Sequence, residues 1–451
     1  MPEATVEPIV IEPDRSMVNN QSILSEKPSA LSREGQPEWL QARRTAAWEK
    51  FLATPKPTIT DQTWRFSKLK QLNFSDVEYA GNSAQAMSLA AIPSELENLA
   101  ARFVFVNEEL VSETHYDDSL TAAGVRILPL DIALNELGDI VKKHFMARET
   151  KLGSEKFAAL HEAAAVSGVV VYVPKGVVVE KPIEIVHWVD GENVAIFPHT
   201  LIVAEENSQV SVVDQFRSTD ESSSNWMIGC NDLVTARGAK VGYYAFQRLN
   251  ESSRAILLNN SSAERDATTT SFTLNVGGCW VRTENMSYVE GEGANSYMLS
   301  ISLPGEGQEF DQRTFQHHKA PHTVSDLLFK NALFGKSRTV FSGLIMVDEG
   351  AHYTDAYQTC RNLLNSEKAE ANSMPGLEIN ADQVKCSHGS TSAQIDQEEL
   401  FYFLARGIDE HAARVMIING YTQEVTSKIG NEQVENLVTD IVAERLKRLP
   451  I

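Results

Sequence analysis

Residues 168–188 read "GVVVYVPKGVVVEKPIEIVHW", and the fold turns on how this stretch is read. Three β-branched runs are separated by Pro174, Gly176 and Pro182. Valine and isoleucine favour the pleated backbone, and proline cannot donate into a central ladder, so each break marks the end of a short strand. The apolar residues sit at consecutive positions, which suits strands packed on both faces. Toward the C-terminus the same texture continues to about residue 395, with strands of four to seven residues and no sustained helical period. The corners share a pattern, a small or polar residue followed by Ala or Ser and then a new strand. It appears in "ENSQVSVV", "RGAKVGYY", "SSAERDAT", "EGANSYML", "EGAHYTDA" and "EKAEANS". Such corners resemble one-way turns of a coil more than hairpins. A parallel β-helix is therefore expected ahead of a sandwich or barrel.

The flanks have a different period. Residues 1–35 are polar and unpatterned and read as a disordered tail. "QPEWLQARRTAAWEKFLATPKP" puts Leu40, Ala47, Trp48, Phe51 and Leu52 on one helical face, between Pro37 and Pro55. Trp64 and Phe66 of "TWRFSKLKQL" read as core anchors, and Ser94 with Glu97 has the spacing of a capping box. "FVFV" at 103–106 reads as a strand, and helical patterns cover about 129–146 and 154–166. Past the coil, Asp396 caps "QEELFYFLAR", Asp409 starts a helix that Gly420 ends, and a last helix covers about 431–448. The expected order is a tail at 1–35, a mostly helical domain at 36–167, a β-helix core at 168–395 and a helical domain at 396–451. The last would shield the open end of the coil.

Composition excludes several functions. Forty basic residues against sixty-one acidic give a net charge of −21, which repels nucleic acid and anionic membranes. No apolar run approaches the roughly 18 residues of a membrane span. The N-terminus has no basic start or apolar stretch of a signal peptide, and Glu3, Glu7, Glu12 and Asp14 are unlike a transit peptide. A cytoplasmic or stromal protein is expected. Neither a phosphate-cradling G-x-x-x-x-G-K-[ST] nor a G-x-G-x-x-G is present, so any ATP chemistry must come from a partner. The four cysteines, Cys230, Cys279, Cys360 and Cys386, lie 49, 81 and 26 residues apart. That spacing does not describe a zinc or iron–sulfur site held by this chain alone. Cys230, Cys279 and Cys360 read as core residues.

One short motif carries chemistry. In "DQVKCSHGST" (382–391), Cys386 and His388 lie two apart on an expected strand and so share a face. A thiolate and an imidazole suit iron or zinc, but two ligands do not complete a site. The same pair is equally compatible with a packed cysteine and a hydrogen-bonded histidine. A nucleophile–base dyad is disfavoured, because neighbours on one strand do not face each other across a cleft. His317, His318 and His322 form the one sequence cluster of histidines, without accompanying cysteine or paired acids, and read as strand or surface residues.

The stretch 341–409, "FSGLIMVDEGAHYTDAYQTCRNLLNSEKAEANSMPGLEINADQVKCSHGSTSAQIDQEELFYFLARGID", resembles the SufB/SufD family of iron–sulfur cluster assembly proteins. "VYVPKGVVVEKPIEIVH", "HTLIVAEENSQVSVV" and "WRFSKL" support it. The resemblance spans roughly 36–451 and implies a right-handed parallel β-helix with flanking helical regions. Within the family the SufD type fits better. SufB-type chains carry Glu-His-Glu where this chain has Cys386 and His388 in "KCSHG". The resemblance implies a scaffold without catalysis of its own, in a complex of one SufB, one SufD and two SufC chains. SufB would pair through the β-helix, and the ATPase SufC would dock on the C-terminal helices, with Leu400, Phe403, Val415 and Ile418 as the candidate contact face. No cofactor is expected to be held stably by this chain alone. Iron or a nascent cluster is expected at the partner interface, with His388 and Cys386 as ligands. A SufB-like chain that builds the cluster itself, a β-helix without a metal role, and a secreted polysaccharide lyase are the alternatives. The last lacks a secretion signal and a clustered carboxylate face.

Overall fold

The computed structural model describes residue 23 and residues 25–450. From His199 onward, successive strands alternate between two sheets, so each pair of strands makes one turn of a flattened β-solenoid. Along its main path the first sheet contains eight parallel strands, and the second contains nine. Residues in register on neighbouring turns are 26 residues apart at Leu258 and Glu284, and 32 apart at Ser342 and Met374. The coil strands from Gln209 onward run eight to ten residues, longer than the sequence texture implied.

The corner pattern has a steric origin. Asn207, Gly238, Asp266 and Gly293 have φ between 55° and 75°, the left-handed region that glycine, asparagine and aspartate tolerate. Each is followed by a buried small residue, Ser208, Ala239, Ala267 or Ala294. At Gly238, whose φ is 68°, a Cβ would lie 2.2 Å from Asn207 Oδ1 of the preceding turn, so a side chain there would have to displace that amide. Between the sheets, Val212, Met227, Leu233, Val241 and Tyr243 belong to one apolar core. Buried asparagines of adjacent turns join along the first sheet: Asn259 Nδ2 donates to Asn285 Oδ1 at 2.6 Å, and Asn231 donates to Asn259.

The segment 36–167 carries more helix than strand, and its strands join the sheets of the coil. Its strand Ala101–Val106 pairs in parallel with Ile183–Val189, and Arg126–Pro129 pairs antiparallel with Gly168–Val173. The solenoid therefore begins inside it. Helices Glu38–Ala53 and Glu155–Ala164 cover the outer face of the first sheet, where Phe157 packs with Trp226, Ile228 and Cys230. Of the expected tail, residues 25–35 are placed: Ser29–Ser32 forms a 3-10 turn with Ala30 buried, and Ile23 N–H donates to Val77 O at 2.9 Å. The remainder of that expectation lies outside the described residues. Ser94 caps no helix; its hydroxyl accepts from Leu96 N–H in a local turn. The pattern at 129–146 is two short helices, Leu130–Glu136 and Gly138–His144.

"WRFSKL" is held by a buried ionic network. Arg282 lies 3.8 Å from the Trp64 ring centroid and donates to Thr63 O at 2.9 Å and Leu152 O at 2.6 Å. Arg313 donates to Arg65 O at 2.8 Å, and Glu309 accepts from Lys68 N–H at 2.7 Å. Asp311, fully buried, joins the guanidiniums at 2.5 Å from Arg282 Nη1 and 2.6 Å from Arg313 Nε, and also accepts from Ser67 Oγ. Trp64 is in the core as expected, but Phe66 is 38% exposed. Its φ of 69° turns the chain at that point, and the ring leaves the core.

Helices Gln397–Leu404, Glu410–Thr426 and Glu432–Arg448 follow the coil, with Asp396, Asp409 and Asn431 side chains capping them. The middle helix continues through Gly420 because its next turn packs on the sheet, with Thr422 and Val425 buried. These helices lie along the outer face of the second sheet, against Phe246, Phe272, Leu299 and Leu328. They do not shield the end of the solenoid.

Candidate functional site

The N-terminal end of the coil is closed by Glu109–His115 and Arg126–Pro129, which pair antiparallel on its first strands. The other end is open. Glu370–Ile379 pairs only with Arg338–Val347, and Lys385–Gln394 only with Asp355–Leu364. Every residue of both terminal strands is at least partly exposed. Lys385 N–H donates to Thr354 O at 2.8 Å. Alternation along the strand then aims the N–H groups of Cys386, His388 and Ser390 at the free edge. Two bare edges on one end form a template for another chain.

Cys386 and His388 are on this outermost strand, in register with buried Ala356 and Gln358. They share the inward face, as their spacing required. Cys386 is half-buried beside Ile345, Val347 and Ala356. Burial, and then the charge of Asp355, push its thiol above the ordinary range. The thiol is therefore protonated at neutral pH and becomes a ligand only by releasing its proton to solvent as a metal binds. His388 is exposed at the end of the coil. Behind it, Gln358 Nε2 donates to Gln316 Oε1 at 3.3 Å, and Gln316 donates to Ser325 Oγ at 2.8 Å. The floor under His388 is thus polar.

The three neighbouring histidines diverge. His317 faces outward beside Tyr288 and contacts Asp348 Oδ1 at 2.8 Å. His318 is fully buried between Thr323 and Ser325, and His322 stacks on Tyr353 at a corner. They do not converge on one point.

The expected docking face is corrected by the packing. Leu400 and Ile418 are buried at 4% and 0% exposure in the chain's own core, and Phe403 and Val415 pack partly against it. The apolar face of these helices is consumed by the second sheet. What remains outward is Phe401 at 69%, Tyr402 at 53%, Leu404 at 41% and Met416 at 50% exposure.

Among the described residues, one group of three ligating side chains draws its donor atoms within 4.8 Å of one another: His161, His199 and Cys230. Sequence reading missed it, placing Cys230 in the core and not singling out the histidines. The available signal was the separation of His199 from Cys230, 31 residues, which is one turn of the coil. In register they are cross-strand neighbours.

The structure is a coil of alternating parallel strands, covered by helices on both outer faces and open at one end. Residues 187–421 match the family model of the SUF system FeS cluster assembly SufBD core domain, and residues 20–185 that of the SufBD protein N-terminal region. The chain belongs to the SufBD family of iron–sulfur cluster assembly proteins. It is 28% identical over 410 residues to the iron–sulfur cluster assembly protein SufD of Escherichia coli, covering 88% of this chain and 91% of that one. It is 26% identical to SufB of Bacillus subtilis, over 88% of this chain and 87% of that one. To SufD of the same organism it is 25% identical, over 93% and 97%.

Proposed function

We propose that this chain is the SufD-type scaffold subunit of a SufBCD iron–sulfur cluster assembly complex. The observation that carries this reading is the open terminal turn with Cys386 and His388 on its outermost strand. A SufB-type chain pairs with the two free edges. The ATPase SufC docks on the outward face of the C-terminal helices, around Phe401, Tyr402 and Met416. Iron or a nascent cluster is the cargo, held at the junction by His388 and Cys386 together with ligands of the partner. This chain contributes binding and positioning, and ATP hydrolysis belongs to SufC. The similar identities to SufB and SufD relatives keep a SufB-like role as the second reading, in which this chain alone would build a cluster.

The test is co-expression of the tagged chain with SufB-type and SufC-type partners from the same source. Ser390→Pro removes a free-edge N–H without touching the ladder to Asp355–Leu364. It should leave the isolated chain folded and abolish recovery of the SufB-type partner. His388→Ala should leave the complex assembled and lower its iron content, with Cys386→Ser equal or milder. Full partner recovery by Ser390→Pro removes the pairing mode. Unchanged iron content in both site variants removes the cargo role.

A further inference from the structure

His199 and Cys230 occupy adjacent in-register positions on strands His199–Ala204 and Trp226–Thr235, on the outer face of the first sheet. Helix Glu155–Ala164 crosses that face and delivers His161. His161 Nε2 lies 3.1 Å from His199 Nδ1. His161 and His199 are completely buried and Cys230 is 3% exposed. The site is remote from the terminal turn that carries Cys386 and His388.

The ring protons are the informative feature. His161 Nδ1 lies 2.7 Å from Ile228 O, and a carbonyl only accepts, so this nitrogen carries the proton. Its Nε2 is then a lone pair in the neutral ring. If the 3.1 Å contact is a hydrogen bond, His199 must donate it from Nδ1, which leaves neutral His199 with a bare Nε2. That Nε2 makes no hydrogen bond and faces Asp232 Oδ2 at 3.4 Å. Two acceptors would then oppose each other in a dry site. Moving the proton to Nε2 reconciles His199 with Asp232, but leaves two lone pairs, His161 Nε2 and His199 Nδ1, aimed at the same point. A cation there satisfies both.

We infer that His161 Nε2, His199 Nδ1 and Cys230 Sγ bind one divalent transition-metal ion, zinc or iron(II), as a resident ion that clamps the Glu155–Ala164 helix to the solenoid. Tetrahedral bond lengths place two imidazole donors about 3.3 Å apart and a nitrogen and a sulfur donor about 3.6 Å apart. The 3.1 Å nitrogen pair already has that spacing, and a set spanning no more than 4.8 Å closes by about 1 Å. The outer partners fit as well. Each ligating histidine turns its other nitrogen toward an acceptor, His161 Nδ1 to Ile228 O at 2.7 Å and His199 Nε2 to Asp232 Oδ2 at 3.4 Å. Asp232 is fixed by Met146 N–H at 2.7 Å and by Asn260 Nδ2 at 3.2 Å, and the same Asn260 nitrogen lies 3.8 Å from Cys230 Sγ. Two neutral imidazoles and a thiolate form a donor set of borderline softness, suited to zinc or iron(II) and poorly suited to magnesium or calcium. On binding, the Cys230 thiol releases one proton and its sulfur becomes the third ligand.

The full chain is expressed in medium supplemented with cobalt(II), so that metal is present while the site folds. The purified protein should carry one cobalt per chain, with thiolate-to-cobalt charge-transfer absorption and the visible bands of a tetrahedral ion. Zinc should displace it. Cys230→Ser should lose the charge-transfer band, and Cys230→Ala serves where the serine variant does not accumulate. Cys279→Ser, a control outside the set, should keep it. Asp232→Asn should weaken retention against a chelator roughly 10- to 100-fold. Folded protein without cobalt would mean that protein contacts alone hold the two rings, and the proposal falls. Cobalt retained equally by the Cys230 variants would be an adventitious ion elsewhere and would also overturn it. None of these readings depends on partner recovery or on iron at the terminal turn.

Discussion

Asp311→Asn tests what fixes the N-terminal segment to the coil. The substitution conserves shape and removes one charge from a network whose members, Glu284, Arg282, Asp311 and Arg313, are at most 2% exposed. Arg282 keeps Glu284 at 2.7 Å, but Arg313 loses the carboxylate at 2.6 Å. Removing one partner from a buried pair costs about 3–5 kcal/mol, because the remaining charge is left dry and uncompensated. The loss falls on the segment 62–71, whose backbone the same guanidiniums bind at Thr63 O and Arg65 O. Even 3 kcal/mol raises the open population of that segment about 100-fold, at roughly 1.4 kcal/mol per factor of ten. Limited trypsinolysis reads this directly, since Arg65, Lys68 and Lys70 become cleavable on opening. Urea unfolding followed by tryptophan fluorescence gives the global term, with Trp64 stacked on Trp280 at 6.3 Å as the reporter. Acid adds a signature. Burial opposes the Asp311 charge, but Arg282 and Arg313 outweigh it and hold the carboxyl below its ordinary value of 3.8. Its contribution is present above that value and is lost as pH falls through the lower folded one, so the wild type has an acid limb that Asp311→Asn lacks. Trypsin resistance equal to wild type, with unfolding free energy unchanged within about 1 kcal/mol, would refute the reasoning against the 3–5 expected.

The outward and inward faces of the C-terminal helices should separate binding from stability. Phe401→Asp and Met416→Asp should abolish SufC recovery while thermal unfolding stays near wild type, whereas Leu400→Asp should destabilise the helices themselves by burying a charge. SufC recovery unaffected by both outward variants would move the contact elsewhere. His318 should make the fold acid-sensitive: burial, then the charge of His317, lower it from 6.5 to about 4. The unfolded chain takes up that proton below 6.5 and the folded chain does not, so stability falls as pH drops from 6.5 toward 4. A urea series across this window should show the slope reduced in His318→Gln. An identical slope in that variant assigns it to other groups.

What the sequence made legible was whatever repeats. Valine runs marked the strands, and the alanines after Gly238, Asp266 and Gly293 marked the corners, because each coil repeats the same steric problem. The inward pairing of Cys386 and His388 followed from period two alone. What stayed hidden depends on distant packing. Ala101–Val106 is too short to reveal that it joins the solenoid, and Phe66 leaves the core through one backbone angle. The helix face with Leu400 and Ile418 is apolar whether it meets a partner or the chain's own sheet, so periodicity could not choose between them. His161, His199 and Cys230 meet only once the coil's turn length is known and a helix from outside the coil is laid across it.

The two sets of helices also grip different spans of the coil. The N-terminal segment holds the first sheet as far as Arg313, through Arg65 O, and the C-terminal helices hold the second as far as Arg361, whose carbonyl accepts from Tyr421 at 2.6 Å. The strands Glu370–Ile379 and Lys385–Gln394 lie past both, each secured by one neighbour. In a solenoid every turn owes its stability to those beside it, so this last turn opens at a small fraction of the global free energy. Its amides should be the first of the coil to exchange with deuterated solvent and should slow many-fold when a partner seals the edge. On the proposed pairing, the chain would enter assembly with one loosely wound turn, and joining would wind it tight.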